Sequence, residues 1–248
     1  VHEDDGLTAY YARRVHDYER VYAKPERQGD LAALRAVVAD WLAGQDVLEI
    51  ACGTGSWTEV ISRAARSILA TDTGDDVLAL ARRKRYIRRN VRFAKADAFA
   101  LNGLSGVFTA AFAGFWWSHI PIRRVSVFLA ALRARLQPSA LVVLADNRYV
   151  KGSNTPVSRI DTQGNTYQIR TLADGRTCEI LKNFPDERAL RSAAGGFGAD
   201  VRYTNLTYFW CLSFRIAASG PVGRGSPHGG SMGEDQHEGP SPRCSRTP

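Results

Sequence analysis

The sequence has no apolar run approaching the ~20 residues needed to cross a bilayer as a helix. That absence sets aside an integral helical membrane protein. The first residues, VHEDDGLTAYYARR, lack the charged-then-apolar pattern of a secretory leader, so a cytoplasmic chain is expected. Cysteines are few and scattered. Cys52, Cys178, Cys211 and Cys244 include no C-x-x-C pair, which argues against disulfides or a zinc site and for free thiols. No internal repeat is visible, and no metal is expected. What is present is 248 residues, enough for one domain of about 200 residues with additions. The formal net charge is +8, most of the excess being arginine. Such a balance permits RNA, an anionic metabolite or an acidic partner without choosing among them.

Residues 7–24 have Tyr11, Val15, Tyr18 and Tyr22 at helical intervals, and Pro25 interrupts the run. A second helix follows in DLAALRAVVADWLAG, with Asp30 as the expected N-cap and Gly44 as the stop. From Val47 to Asn147 the pattern alternates near-continuous apolar strands with helices. This predicts an α/β fold, a doubly wound, mostly parallel sheet covered on both faces, with its ligand site beyond the carboxyl ends of the strands. After Asn147 the alternation breaks. NTYQIRTLADGRTCEILK predicts a hairpin turning at Asp174-Gly175. A short helix and two strands, DVRYTNL and TYFWCLSFRIA, then form an antiparallel pair at a sheet edge. The expected organisation is a domain over 1–218, with N-terminal lid helices over 1–44 and a substrate-cap insertion over 148–185. Residues 219–248, rich in glycine, proline and serine, are expected to be a disordered tail.

The most informative stretch is VLEIACGTGSWT, residues 47–58. Glycines let backbone amides approach a ligand, and a helix starting near Trp57 adds a positive dipole end. A dinucleotide fingerprint would have a third glycine where Thr58 stands. Glu49 would sit badly beside a pyrophosphate and suits a ligand carrying positive charge.

The stretch resembles the first motif of the class I S-adenosylmethionine-dependent methyltransferases, an apolar strand followed by E/D-x-G-x-G-x-G. Here it reads Glu49-Ile-Ala51-Cys-Gly53-Thr-Gly55, with alanine in place of the first glycine. The resemblance implies the seven-stranded, Rossmann-like methyltransferase sheet with its seventh strand antiparallel, and S-adenosyl-L-methionine as cofactor. Asp72, followed by Thr73, matches the acid that accepts both ribose hydroxyls; alternatively it caps a turn. By the same resemblance to VRFAKADAFAL, Asp97 would accept from the adenine amino group, Ala98 would donate its backbone amide, and Phe99 would pack near the base. Asp97 alternatively caps a short turn.

In AFAGFWWSHIP the resemblance places Ala113 and Phe115 against the cofactor, and Trp116, Trp117 and His119 about the acceptor. The two tryptophans are expected to point opposite ways. His119 is a candidate general base, as is Tyr149; alternatively His119 holds the loop. The segment lacks Asn/Asp-Pro-Pro-Tyr/Phe/Trp and any cysteine, which argues against base-amino and C5-pyrimidine methylation of nucleic acid. A lid helix would carry Tyr11 and Tyr22 onto the cofactor and Tyr18 toward the substrate, with Arg27 on the methionine carboxylate. Arg148, Tyr167 and Arg170 belong to the expected substrate cap and hint at an anionic acceptor. The basic run ARRKRYIRRN, residues 81–90, is either a solvated helix face or an RNA contact. The expected function is methyl transfer to a small molecule by in-line displacement. RNA methylation and a non-catalytic, cofactor-binding partner subunit are the alternatives.

Overall fold

The structure, a computed structural model, describes residues 23–171, 175–217 and 244–245. Tyr11, Tyr18 and Tyr22 lie outside the described residues, as does all of the expected tail except Cys244–Ser245. The first described elements are a 3-10 turn, Pro25–Arg27, and helix α1, Gln28–Trp41. Leu31, Leu34 and Val38 recur at intervals of three and four and bury one face of α1. Asp30 is not the N-cap: the helix begins two residues earlier, and the Asp30 carboxylate accepts from the Tyr208 amide at 2.8 Å.

Five strands then run parallel: β1 (Asp46–Ile50), β2 (Ser67–Asp72), β3 (Val91–Lys95), β4 (Phe108–Gly114) and β5 (Leu136–Asn147). Helices α2 (Ser56–Ser62), α3 (Asp75–Arg83) and α4 (Val125–Arg133) connect them. The basic run is helical only as far as Arg83, which corrects the expectation of a helix through it. Sheet order is β3-β2-β1-β4-β5-β10-β9, where β9 is Gly198–Asn205 and β10 is Phe209–Ile216. The last strand, β10, is antiparallel to both neighbours, as the nearly absent connection from β9 requires.

Neighbouring residues of each strand enter opposite cores. Leu48, Ala111 and Val142 join one cluster; Val47, Ala110 and Val143 join the other. The first is closed by α4 and by α5 (Glu187–Gly195), whose N-cap Asp186 accepts from the Ala189 amide at 2.8 Å. The second is closed by α1 and α2.

A separate antiparallel sheet, in the order β11-β8-β7-β6, forms the cap. Its strands are β6 (Arg159–Ile160), β7 (Thr166–Thr171), β8 (Thr177–Leu181) and β11 (Cys244–Ser245). Cys178 on β8 is disulfide-bonded, which corrects the expectation of free thiols; Cys52 and Cys211 are free and buried.

Candidate functional site

Order reverses between β1 and β4, so the crevice beyond their carboxyl ends is where an open α/β sheet binds ligands. The chain leaves β1 through Ala51 (φ 52°), Gly53 (φ 55°) and Gly55 (φ 81°), three left-handed residues within five. A side chain at Gly55 is disfavoured by its left-handed backbone, and its Cβ would lie 3.2 Å from the Ala81 Cβ and 2.5 Å from the Tyr86 hydroxyl. Ala51 holds a conformation that glycine adopts freely and alanine adopts at about 1–2 kcal/mol.

The loop is fastened by the acid that ends β2. Asp72 Oδ2 accepts from the Gly53 amide at 2.8 Å, and Oδ1 from the Gly74 amide at 3.0 Å. Burial raises the Asp72 pKa, and these amides oppose the rise. A carboxylate has about four lone-pair positions, so acceptor capacity is left for hydroxyl donors.

Glu49 lies in β1 between Ala70 of β2 and Phe112 of β4 and is 1% exposed. Its Oε2 has no hydrogen-bond partner among the described residues. The Thr58 hydroxyl beside it is also buried, close enough to favour the charged form yet not closing a hydrogen bond of normal geometry. Burial raises the Glu49 pKa to about 8, and the charge of Asp72 adds to the rise. A buried carboxyl with an unanswered oxygen is costly unless something cationic meets it. The ammonium-bearing methionine portion of S-adenosylmethionine is such a group, so the residues present fit that cofactor.

At the adenine-side motif, Asp97 Oδ1 accepts from the Phe99 amide at 2.8 Å, so this acid does shape its own turn. Ala98 is buried, and the Phe99 ring meets Trp116 and Phe128 edge-on, with Arg124 over its face at 3.6 Å. At the end of β4, Ala113 is buried in the sheet. Phe115 is left-handed (φ 59°) and stacks on Trp57 at 5.9 Å. Gly114 is obligatory there, since a Cβ would approach the Phe112 ring to 2.8 Å.

The tryptophans diverge. Trp116 faces Phe99, and its buried indole N–H has no partner among the described residues. Trp117 turns into the core against Trp210, at 6.2 Å and perpendicular; it does not share Trp116's setting.

Beyond them lies a polar cluster that sequence reasoning missed. Asp146, at the end of β5, accepts from the Ser118 amide through Oδ2 and from the Asn147 amide and side chain through Oδ1. Lys182, just after β8, places Nζ 3.5 Å from Asp146 Oδ1 and 3.5 Å from His119 Nε2, and donates to Ser118 Oγ. His119 Nδ1 donates to the Leu181 carbonyl at 3.0 Å. With Nδ1 bound to a carbonyl and Nε2 covered by an ammonium, the ring has no nitrogen for a substrate proton. Burial pushes its pKa well down, and Lys182 pushes it further. His119 therefore fastens the cap to the loop after β4, and the expectation of a general base is corrected. The sequence signals for this cluster were an acid ending an apolar strand, VVLAD, and a lysine on the same alternating face as Ile180.

Other expected site residues are engaged elsewhere. Arg148 Nη1 donates to the Leu206 carbonyl at 2.7 Å, stapling the β9–β10 turn, and so is not directed at an acceptor. The Tyr167 hydroxyl donates to Asp161 at 3.0 Å beneath Arg159, on the opposite face of β7 from Arg170; it too leaves the expected substrate set. Tyr149 is 43% exposed with its ring edge-on to Phe184 at 5.2 Å. Arg27 is 4% exposed and donates to Asn147 Oδ1, Ser153 and Asn154, all neutral, with its guanidinium over Tyr208. Burial lowers its pKa.

A cavity of about 510 Å³ opens on the flank between α4, α5 and the base of the cap, lined by Trp117, Ile120, Leu129 and Phe197 among others. None of the glycine-loop residues, Asp72 or Asp97 lines it. Among the described residues no group of three His, Cys, Asp or Glu side chains could hold a metal ion, and no helix is long and apolar enough to cross a membrane.

Comparison with known proteins adds independent findings. A family model described as a methyltransferase domain matches residues 47–139. Demethylmenaquinone methyltransferase of Shouchella clausii (strain KSM-K16) is 27% identical over 124 residues, covering 44% of this chain and 53% of that protein. The chain thus spans about half the length of that curated relative. Among solved structures, a DhpI-SAH complex is 26% identical with a TM-score of 0.69, covering 86% of this chain and 96% of that one. A DhpI-SAM-HEP complex is 26% identical with a TM-score of 0.67, covering 84% and 96%.

Proposed function

The chain belongs to the class I S-adenosylmethionine-dependent methyltransferases, and on that premise we propose that it methylates a small molecule held between the residues after β4 and the cap. The observation that carries this reading is the cap itself. Lys182 binds Asp146 and Ser118, the Asn183 amide donates to the Ser118 carbonyl at 2.7 Å, and the Asn183 side chain donates to the Ile120 carbonyl at 3.0 Å. A cover buried along its base over the ends of β4 and β5 suits an enclosed metabolite better than a polymer. The basic run 81–90 begins in the last turn of α3, beside β2 and β3 and at the other edge of the sheet from the cap, which argues against its feeding RNA to this site.

When bound, S-adenosylmethionine supplies an electrophilic methyl group on a sulfonium. Glu49 would hold the ammonium, and Asp72 the ribose hydroxyls while keeping the glycine loop in place. Asp97, Ala98 and Phe99 would frame the adenine, with Thr73 beside Asp72. Phe115, locked by its left-handed backbone and by Trp57, would form the floor between the two substrates. Trp116, with its unanswered N–H, would face the acceptor. With both His119 nitrogens engaged, the chain contributes alignment and exclusion of water rather than a histidine base.

The test is a turnover screen that follows S-adenosylhomocysteine release from phenols, amines, thiols, quinones and RNA. Release from a small acceptor, abolished in Asp72→Ala together with cofactor binding, is the expected result. Release from RNA alone, with steep salt dependence, would establish the RNA reading instead. Cofactor binding with no turnover on any acceptor would leave a partner subunit.

A further inference from the structure

We infer that the acceptor is an anion, and that Arg170, on the inner face of the cap, binds its oxyanion group with support from Lys182 and Arg27. The inference rests on the reading that a small molecule is methylated under the cap.

Strand register carries the first step. In the β7–β8 ladder Tyr167 pairs with Leu181 and Gln168 with Ile180, so Lys182 stands opposite Thr166. Side chains alternate along a strand, which puts Gln168, Arg170 and Lys182 on one face of the hairpin. That face is the inner one: Lys182 reaches Asp146 at the end of β5, and Gln168 and Arg170 bond Thr155 in the segment that follows β5. Among the described residues of the hairpin, the acid Glu179 is on the outer face with Ser158 and Arg159.

Charge carries the second step. Arg27 reaches the same segment from the N-terminal side, through Ser153, Asn154 and Asn147. Three cations therefore converge on the carboxyl end of β5. Among the described residues, Asp146 is the carboxylate that Lys182 faces, and Glu26 reaches Arg27 through the Ser153 hydroxyl. Arg27 is bonded wholly to neutral oxygens while nine-tenths buried. Burial depresses the pKa of Arg27, Lys182 and His119, and the charge of Arg170 depresses all three further. Arg27 and Lys182 are buried, and cations that converge out of water are relieved by an anion. Arg170 Nη1 and Nη2 already donate to Thr155 Oγ1 and Gln168 Oε1, which fixes the plane of its guanidinium for a carboxylate or phosphate-type oxyanion.

Two anions are available, the acceptor's and the carboxylate of the cofactor's methionine. Arg170 and Lys182 belong to the cap and are assigned to the acceptor. Arg27 is placed to serve either.

The test uses the full chain and matched acceptors that share a methylatable group and differ in charge: hydroxybenzoate against its amide, and a hydroxyalkyl phosphate against the corresponding diol. Preference for the charged member of each pair is expected. Arg170→Gln should raise KM for it by about tenfold or more while leaving kcat and S-adenosylmethionine affinity within about twofold. Arg170→Lys, keeping the charge, should recover part of the loss. A second arm needs no turnover. With S-adenosylhomocysteine saturating, inorganic phosphate or benzoate should raise the melting temperature of the wild type, and of Arg170→Gln far less. Preference for neutral acceptors would overturn the anion assignment while leaving methyl transfer standing. Anion binding without turnover on any acceptor would do the reverse. Loss of cofactor affinity in Arg170→Gln would hand the cations to the methionine carboxylate and refute the acceptor role.

Discussion

Glu49→Gln separates the cost of the bare carboxyl from its use. In the folded, cofactor-free chain its pKa rises to about 8 from an ordinary value of 4.5, chiefly through burial. A raised carboxyl pKa means that the folded state holds the proton more tightly than the unfolded one. Its stabilising contribution is then fully present below pH 4.5 and is lost as pH rises toward 8. The loss runs at roughly 1.4 kcal/mol per pH unit and totals about 5 kcal/mol across that window. Glutamine cannot ionise, so Glu49→Gln should gain stability over the wild type at that rate as pH rises. The burial of Asp72 is common to both proteins and cancels in the difference, while its repulsion with Glu49 is lost in the variant and adds to the same trend. Urea unfolding of the cofactor-free chain in half-unit steps from pH 5 to 9 measures it. A difference that stays constant with pH refutes the reasoning. The same carboxyl, once beside the cofactor's cation, is favoured in its charged form. Calorimetry at pH 7 in two buffers of different ionisation enthalpy should therefore show proton release on S-adenosylmethionine binding. Glu49→Gln should bind more weakly and release none.

Four further variants have expected outcomes. Ala51→Gly relieves a left-handed alanine and should stabilise the chain by about 0.5–1 kcal/mol in urea unfolding, with cofactor affinity retained. Asp146→Ala leaves Lys182 buried opposite no carboxylate and should cost about 3–5 kcal/mol. Lys182→Met should cost less, because Asp146 keeps the Ser118 and Asn147 amides; equal losses would show that the ion pair and not this network dominates. Gly198→Ala would drive a Cβ to within 2.0 Å of the Arg215 carbonyl oxygen, and should lower stability by about 3 kcal/mol or more, read as a fall in urea midpoint.

The central sheet was legible because its strands are short, apolar and bounded by helices with local signals, so little beyond periodicity is needed to place them. The hairpin was legible for the same reason, through Asp174-Gly175 between two alternating runs. Local signals failed where a distant partner decides. Asp30 has the chemistry of an N-cap, but the Tyr208 amide claims its carboxylate from the far end of the chain. His119 and Arg148 looked available for chemistry. They are taken by the Leu181 and Leu206 carbonyls, more than 50 residues on in each case. Tyr167 was placed in the right element and on the wrong face, since its outward side is set by Arg159 of β6 and by Asp161 in the turn that follows β6.

Three strands of the sheet end in an acid or one residue past one, and their fates differ for reasons of reach. Asp72 finds its donors within its own loop and the adjoining one, at Gly53 and Gly74, so its place was readable from spacing. Asp146 finds Lys182, which only the fold of the cap brings near, and alternation along the hairpin was the sole hint. Glu49 finds no donor for Oε2 among the described residues and stays buried. A folded chain that satisfies two such acids and leaves the third bare is carrying a cost that its own residues do not offset. An external cation removes that cost, and the acid without a donor is thus the one that identifies the ligand's charge. The same logic applies with the sign reversed at Arg27, a buried guanidinium bonded to neutral oxygens. One end of the crevice thus calls for a cation and the cap side for an anion.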